Sequence, residues 1–127
     1  MKKDISNIGD IKFLVDTFYG HVRKDELIDP IFNEKIEDNW PAHLEKMYRF
    51  WQTVLLEEHT YYGSPFMPHS QLPIDKSHFE RWIQLFEKTI SENFEGKVAD
   101  DALLRAASMA QMFQYKIEYY QGKHPLK

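Results

Sequence analysis

The residues with the most chemical promise run from His69 to Trp82, reading His-Ser-Gln-Leu-Pro-Ile-Asp-Lys-Ser-His-Phe-Glu-Arg-Trp. A lone histidine in a Pro-punctuated loop is followed by a well-capped helix whose first apolar residues, Phe79 and Trp82, are aromatic. This is a natural way to present one imidazole beside a flat hydrophobic cofactor. The other wall of such a pocket must come from elsewhere, and two polar residues fall on apolar stripes. Tyr19 sits beside Phe18 and Val15 on one predicted helix, and His43 lies one turn before Met47 on another.

Taken singly, each has an ordinary explanation. Tyr19 could bond a nearby carbonyl, His43 could lie at the core margin, Trp82 could be core and His69 a plain loop residue. The combination is harder to dismiss. A helical fold that sends a Tyr, a His and a Trp inward, opposite an aromatic loop bearing another His, needs something polar for them to face. That set points to haem. Other metal chemistries match the spacing less well. A di-iron bundle wants Glu-x-x-His on each of two helices, and none of the six histidines has a Glu three residues before it; Asp75-x-x-His78 comes nearest. There is no His-Glu-x-x-His, no Gly-rich phosphate loop and no Gly-x-Ser-x-Gly elbow. Several histidines could assemble on zinc in space, but His21, His59 and His124 fall outside the inward stripes or on their margins.

The elements that must position these groups are four helical stripes and one irregular segment. From Ile8 to Arg23, the apolar residues Ile11, Leu14, Val15, Phe18, Tyr19 and Val22 repeat at three and four, one face of an amphipathic helix. Pro30 limits the Leu27 to Phe32 stretch to a turn or one-turn helix. A second helix should begin near Asp38 and Asn39, before Trp40 and Pro41, with Trp40, His43, Leu44, Met47, Phe50, Trp51, Val54 and Leu55 inward. From His59 to Asp75, Gly63, Pro65, Pro68 and Pro73 break the pattern. Structureless loops beyond about 12 to 15 residues are uncommon in compact domains and often functional. A third helix is expected from Ser77, with Glu80 at capping-box spacing. It carries Phe79, Trp82, Ile83, Phe86, Ile90 and Phe94 inward and ends at Gly96. The fourth should run from Asp100 to about Gln121, using Leu103, Ala107, Ala110, Phe113, Ile117 and Tyr120, with Gly122 as its cap. The expected class is all-α, in a single domain spanning 1–127.

Composition narrows the setting. Apolar residues make up 43% of the 127 and aromatics 15%, which indicates a ring-rich globular interior. Lys and Arg number 16 against 20 Asp and Glu, a net charge of −4 that is unsuited to tracking a phosphate backbone. Nucleic acid is therefore excluded as the expected partner. With no cysteine, disulfides, iron–sulfur clusters, thiolate zinc sites and covalent haem attachment through Cys-x-x-Cys-His are ruled out. No leader-like segment and no run near the ~18 residues of a membrane span is present, so a soluble, cytoplasmic protein is expected.

The chain resembles the group III truncated haemoglobins, bacterial globins shortened to two helices packed over two. The resemblance covers nearly the whole chain. It rests on Phe18-Tyr19 with Val22-Arg23, Pro30-Ile31-Phe32-Asn33, Trp40-x-x-His43 and Phe50-Trp51. Its most specific part is Tyr62-Gly63-x-Pro65 leading to His69-x-x-Leu72-Pro73 and then Phe79-x-x-Trp82. Groups I and II usually carry Gly-Gly pairs at helix ends, and this chain has none. Residues before the proximal histidine are often basic in relatives, whereas here they are Met67-Pro68.

The resemblance implies a two-over-two sandwich around non-covalent haem b, with His69 as the proximal iron ligand. The other ring nitrogen of His69 would be held by a carbonyl or by Ser70. Tyr19 and Trp82 would donate to the bound gas, and His43 would be a distal gate between pocket and solvent. Met47 would supply an apolar lid, and Phe32 would pack on the porphyrin. Phe50, Phe66, Phe79 and Phe86 would complete the wall or core. Lys46 or Arg49 would meet a haem propionate. The implied ligands are O2, NO and CO. The implied work is ligand redox chemistry or detoxification of NO or peroxide, with an unidentified reductase, in a monomer. Storage or sensing without turnover is the alternative, and a cofactor-free helical interaction module is a third.

Overall fold

The computed structural model describes residues 2–36, 39–61 and 75–120, without the side chains of 32, 34–36 and 120. The described residues form α1 (Ile8–Val22), α2 (Asp29–Ile36), α3 (Trp40–Leu56), α4 (Lys76–Asn93) and α5 (Lys97–Tyr120). Helix α1 packs on α3, and α4 packs on α5. The two pairs meet where α1 lies on α4 and α3 on α5. This is the expected all-α, two-over-two arrangement, with no strand among the described residues beyond an isolated bridge between Lys3 and Phe94.

Helix α1 follows its periodicity without exception. Asn7 caps it by accepting from the Asp10 N–H at 2.9 Å, and Ile11, Leu14, Val15, Phe18, Tyr19 and Val22 are all buried. Helix α3 begins at Trp40 as expected, with Pro41 in its first turn, but Asn39 makes no side-chain capping bond. Its end is set by Glu57 in the left-handed region, φ 58°, after which the Thr53 hydroxyl accepts from the N–H groups of Thr60 and Tyr61 at 3.0 and 2.9 Å. The descending chain is thereby held against α3.

Several expectations need correction. The Pro30 segment is a helix of 8 residues, α2, because Pro30 falls in its first turn, where the missing N–H has no partner to lose. Helix α4 is capped by Asp75 rather than Ser77. The Asp75 carboxylate accepts from the Ser77 N–H at 2.9 Å, and the His78 ring accepts from the Asp75 N–H at 3.0 Å, a capping box built from a different pair than Ser77 and Glu80. This helix ends at Asn93, with Phe94 extended, ahead of Gly96.

Helix α5 starts at Lys97, before the expected Asp100, because its cap comes from far away in sequence. Asp4 accepts from the N–H groups of Val98 and Ala99 at 3.0 and 2.9 Å. Gly96, at φ 140°, makes room: a Cβ there would lie 2.5 Å from the Asp4 carboxyl carbon. The N-terminal strap also buries Ile5 to 2% exposure and pairs the Lys3 carbonyl with the Glu95 N–H at 3.0 Å. Along α5 the inward stripe is Ala99, Ala102, Ala106, Ala110, Phe113 and Ile117. Leu103 is half-buried and Ala107 is exposed, so the earlier start of the helix goes with a different small residue in the core.

Candidate functional site

All five helices, together with the turn that leads into α2, wall a single apolar cleft. It holds about 740 Å3 of non-atom space, part of it open to solvent, and is concave and mostly apolar, as small-molecule and cofactor sites are. Helix α1 contributes Phe18 and Tyr19, the following turn and α2 contribute Ile28 and Ile31, and α3 contributes Met47, Phe50 and Trp51. The first turns of α4 add His78, Phe79 and Trp82, and α5 adds Met109, Ala110 and Phe113. Tyr19, Trp51, His78 and Trp82 are the only side chains in this lining with a nitrogen- or oxygen-borne proton to donate.

Tyr19 is 7% exposed. Burial pushes its phenol far above the ordinary value, so the hydroxyl keeps its proton, and can donate it, at neutral pH. Its ring stands edge-on to Phe18 at 5.0 Å, to Trp40 at 5.8 Å and to His43 at 5.1 Å. Trp82 is half-buried. It meets Phe18 edge-on at 5.3 Å and stacks on Phe86 at 5.7 Å with 12° between the planes. No hydrogen bond described for this structure uses the Trp82 indole N–H. The structure therefore brings Tyr19 and Trp82 to one cavity, on either side of Phe18.

His43 lies beside the cavity, outside its lining, with its ring held edge-on between Tyr19 and Trp40. Trp40 is itself anchored twice: its indole N–H donates to Asn33 at 3.1 Å, and the Arg23 guanidinium sits 4.6 Å from the ring centroid. Met47, Phe50 and Phe79 are in the wall. Phe86 is not. It is 1% exposed and stands behind Trp82, stacked on Trp51 at 5.2 Å as well, so it backs the pocket and does not face it. Lys46 is exposed on α3, outside the lining. Arg49 is engaged with Glu45 at 2.8 Å and with the Gln52 carbonyl at 3.1 Å. His69, Phe66 and the Phe32 side chain lie outside the described residues. Among the described residues, no group of three or more His, Asp or Glu is placed to hold a metal ion.

Two interactions fix the helices that carry the donors. Asp25, in the turn after α1, accepts from the Leu27 and Ile28 N–H groups at 2.9 and 3.2 Å and from the Arg81 guanidinium at 2.7 Å. Burial works to raise its carboxyl, but Arg81 and the two N–H groups outweigh it and hold the pKa below the usual carboxylate value. This pair ties the α2 approach to α4, one residue from Trp82. On the other side of α1, the Tyr48 hydroxyl donates to Asp16 and Lys12 lies 5.7 Å over the Tyr48 ring, setting α3 against α1.

Sequence reasoning missed Ile28, Ile31, Met109 and His78 as wall residues. His78 was visible as the partner of Asp75 at metal-ligand spacing, but that spacing reads equally as a capping box.

The comparisons with known proteins agree with this geometry. The profile of the bacterial-like globins matches residues 5–116. The group 3 truncated hemoglobin ctb of Campylobacter jejuni is 35% identical over 126 residues, covering 96% of this chain and 99% of that protein. The crystal structure of group III truncated hemoglobin from Campylobacter jejuni superposes with a TM-score of 0.84 at 35% identity, covering 92% of this chain and 95% of the other. With its helices paired two over two around an aromatic cleft, the chain belongs to the bacterial-like globins and, within them, resembles the group III truncated haemoglobins over nearly its whole length.

Proposed function

We propose that this globin binds haem b non-covalently in the cleft and holds O2, NO and CO there for redox chemistry or detoxification, not for bulk oxygen transport. Haem binding follows from membership in the family. The cleft fits the group: its walls are apolar and largely aromatic, as a flat hydrocarbon body requires, and its few polar side chains are donors. Haem, when bound, supplies an iron that takes up diatomic gases. His69 would be its proximal ligand, as the resemblance implies, on the stretch leading to the Asp75 cap of α4.

The observation that carries the reading is the placement of Tyr19 and Trp82 in one apolar wall. An indole N–H is a donor only, and the buried Tyr19 hydroxyl keeps its proton. Two fixed donors in a low-dielectric cavity favour a ligand that gains negative charge, and they do so without reorganising. Slow gas release suits chemistry on O2, NO or peroxide, with electrons supplied by a separate reductase. Met47 and Phe50 give the same space an apolar wall, and His43, at its edge, would act as the gate. No helix among the described residues is long and apolar enough to cross a membrane. A monomeric, single-domain, cytoplasmic protein is the setting proposed.

The test has two stages. Purified protein should show the intense near-ultraviolet and visible bands of haem; a colourless protein that takes up no added haem would leave the helical interaction module as the reading. Oxygenated protein mixed with NO in the presence of a reductant should then turn over repeatedly. A single stoichiometric reaction that reductant cannot sustain would reduce the function to storage or sensing.

A further inference from the structure

We infer that His78 is the cleft's anchor for the carboxylate edge of the bound porphyrin. The inference rests on the haem reading and deepens it. A porphyrin of this kind is apolar except for two carboxylates on one edge, and burying an unpaired carboxylate is strongly unfavourable. The carboxylates must therefore lie where the lining offers a donor and access to water. Of the four donors in the lining, Tyr19 and Trp51 are buried and Trp82 stands a full turn further into α4. His78 is in the helix's first turn, with its side chain 17% exposed.

The ring is also oriented. His78 Nδ1 is 3.0 Å from the Asp75 N–H and 3.1 Å from the Asp75 carboxylate. In the neutral ring, Nδ1 accepts from that N–H and the proton sits on Nε2. In the charged ring, Nδ1 donates to the carboxylate and Nε2 again carries a proton. Nε2–H is thus a donor in both states, and no hydrogen bond described here consumes it. The basic groups expected for this role are placed less well: Arg49 is paired with Glu45, and Lys46 is outside the lining. The capping box and the cofactor contact are two uses of one side chain, Nδ1 serving the helix and Nε2 the ligand.

The experiment compares haem with its dimethyl ester, in which both carboxylates are masked. Release from reconstituted full-length protein is followed by loss of the Soret band on transfer to an excess of an acceptor apoprotein. Variants His78→Gln and His78→Glu both preserve the cap, since Gln and Glu are the usual third-position partners of a capping box. Helix content and melting temperature of the apoproteins verify that the fold is kept. His78→Glu should release haem at least tenfold faster than wild type, and His78→Gln severalfold faster. Both variants should release the dimethyl ester within twofold of wild type. Equal effects on haem and on its ester, or no effect on either, would overturn the anchor and leave His78 a capping residue. A wild-type chain that takes up neither porphyrin refutes the haem reading itself, and the anchor with it.

Discussion

Replacing Trp82 with Phe removes one hydrogen-bond donor from the cavity while keeping an aromatic ring against Phe18 and Phe86. The indole N–H has no other partner described in this structure, so nothing is broken elsewhere when it goes. A hydrogen bond to a charged or strongly polarised acceptor contributes about 1.5–3 kcal/mol. At about 1.4 kcal/mol per factor of ten, O2 should dissociate roughly 10- to 150-fold faster from Trp82→Phe. Tyr19→Phe should act in the same direction while keeping the ring that packs between Phe18, Trp40 and His43. Stopped-flow displacement of O2 by excess CO measures both rates. Because burial keeps the Tyr19 phenol protonated, its contribution should also be flat from neutral to mildly alkaline pH. Rates within twofold of wild type in both variants would refute the polar-pocket mechanism outright.

The other expected outcomes concern the proposed proximal ligand and the scaffold. His69→Ala should abolish stable haem binding in a spectral titration while leaving the helical circular dichroism of the apoprotein intact. Gly96→Ala should lose about 2–4 kcal/mol in urea unfolding, from a backbone angle closed to L-residues together with displacement of the Asp4 cap; the loss should be less than additive with Asp4→Ala. Asp25→Asn keeps an oxygen for the Leu27 and Ile28 N–H groups but gives up the charge facing Arg81. It should cost about 1 kcal/mol at pH 7, the partly exposed guanidinium moderating the effect. The folded carboxyl lies below its unfolded value of about 3.9, so the pair's contribution is complete above that pH and is lost as pH falls through the folded pKa. Melting curves of wild type and variant should therefore converge as pH falls below the folded carboxyl's own pKa.

What the sequence made legible was local. All six inward positions of α1 follow from the 3.6 period and the Asn7 cap, and Tyr19 and Trp82 could be placed because each sits on such a stripe. The start of α5 could not be read, since its capping side chain, Asp4, is separated from the helix by more than ninety residues. At the start of α4, Asp75 and Ser77 are both good caps two residues apart, and only the backbone decides between them. Periodicity put Phe86 on the inner face but could not say that Trp82 and Trp51 stand between it and the cavity. The same limit hid His78: the pattern shows which face of a helix is turned inward, not which of its ends meets an opening.

The arrangement of the tryptophans has a practical consequence. The chain has three. Trp51 and Trp82 line the cleft, and Trp40 is one ring removed from it through Tyr19. Every indole in the protein therefore lies at or next to the cleft, with none on a distant surface to give a constant background. A porphyrin placed in the cleft would accept excitation energy from all three, and native ultraviolet emission would fall nearly to zero as the site fills. The protein carries its own optical gauge of occupancy, readable at low concentration without a label.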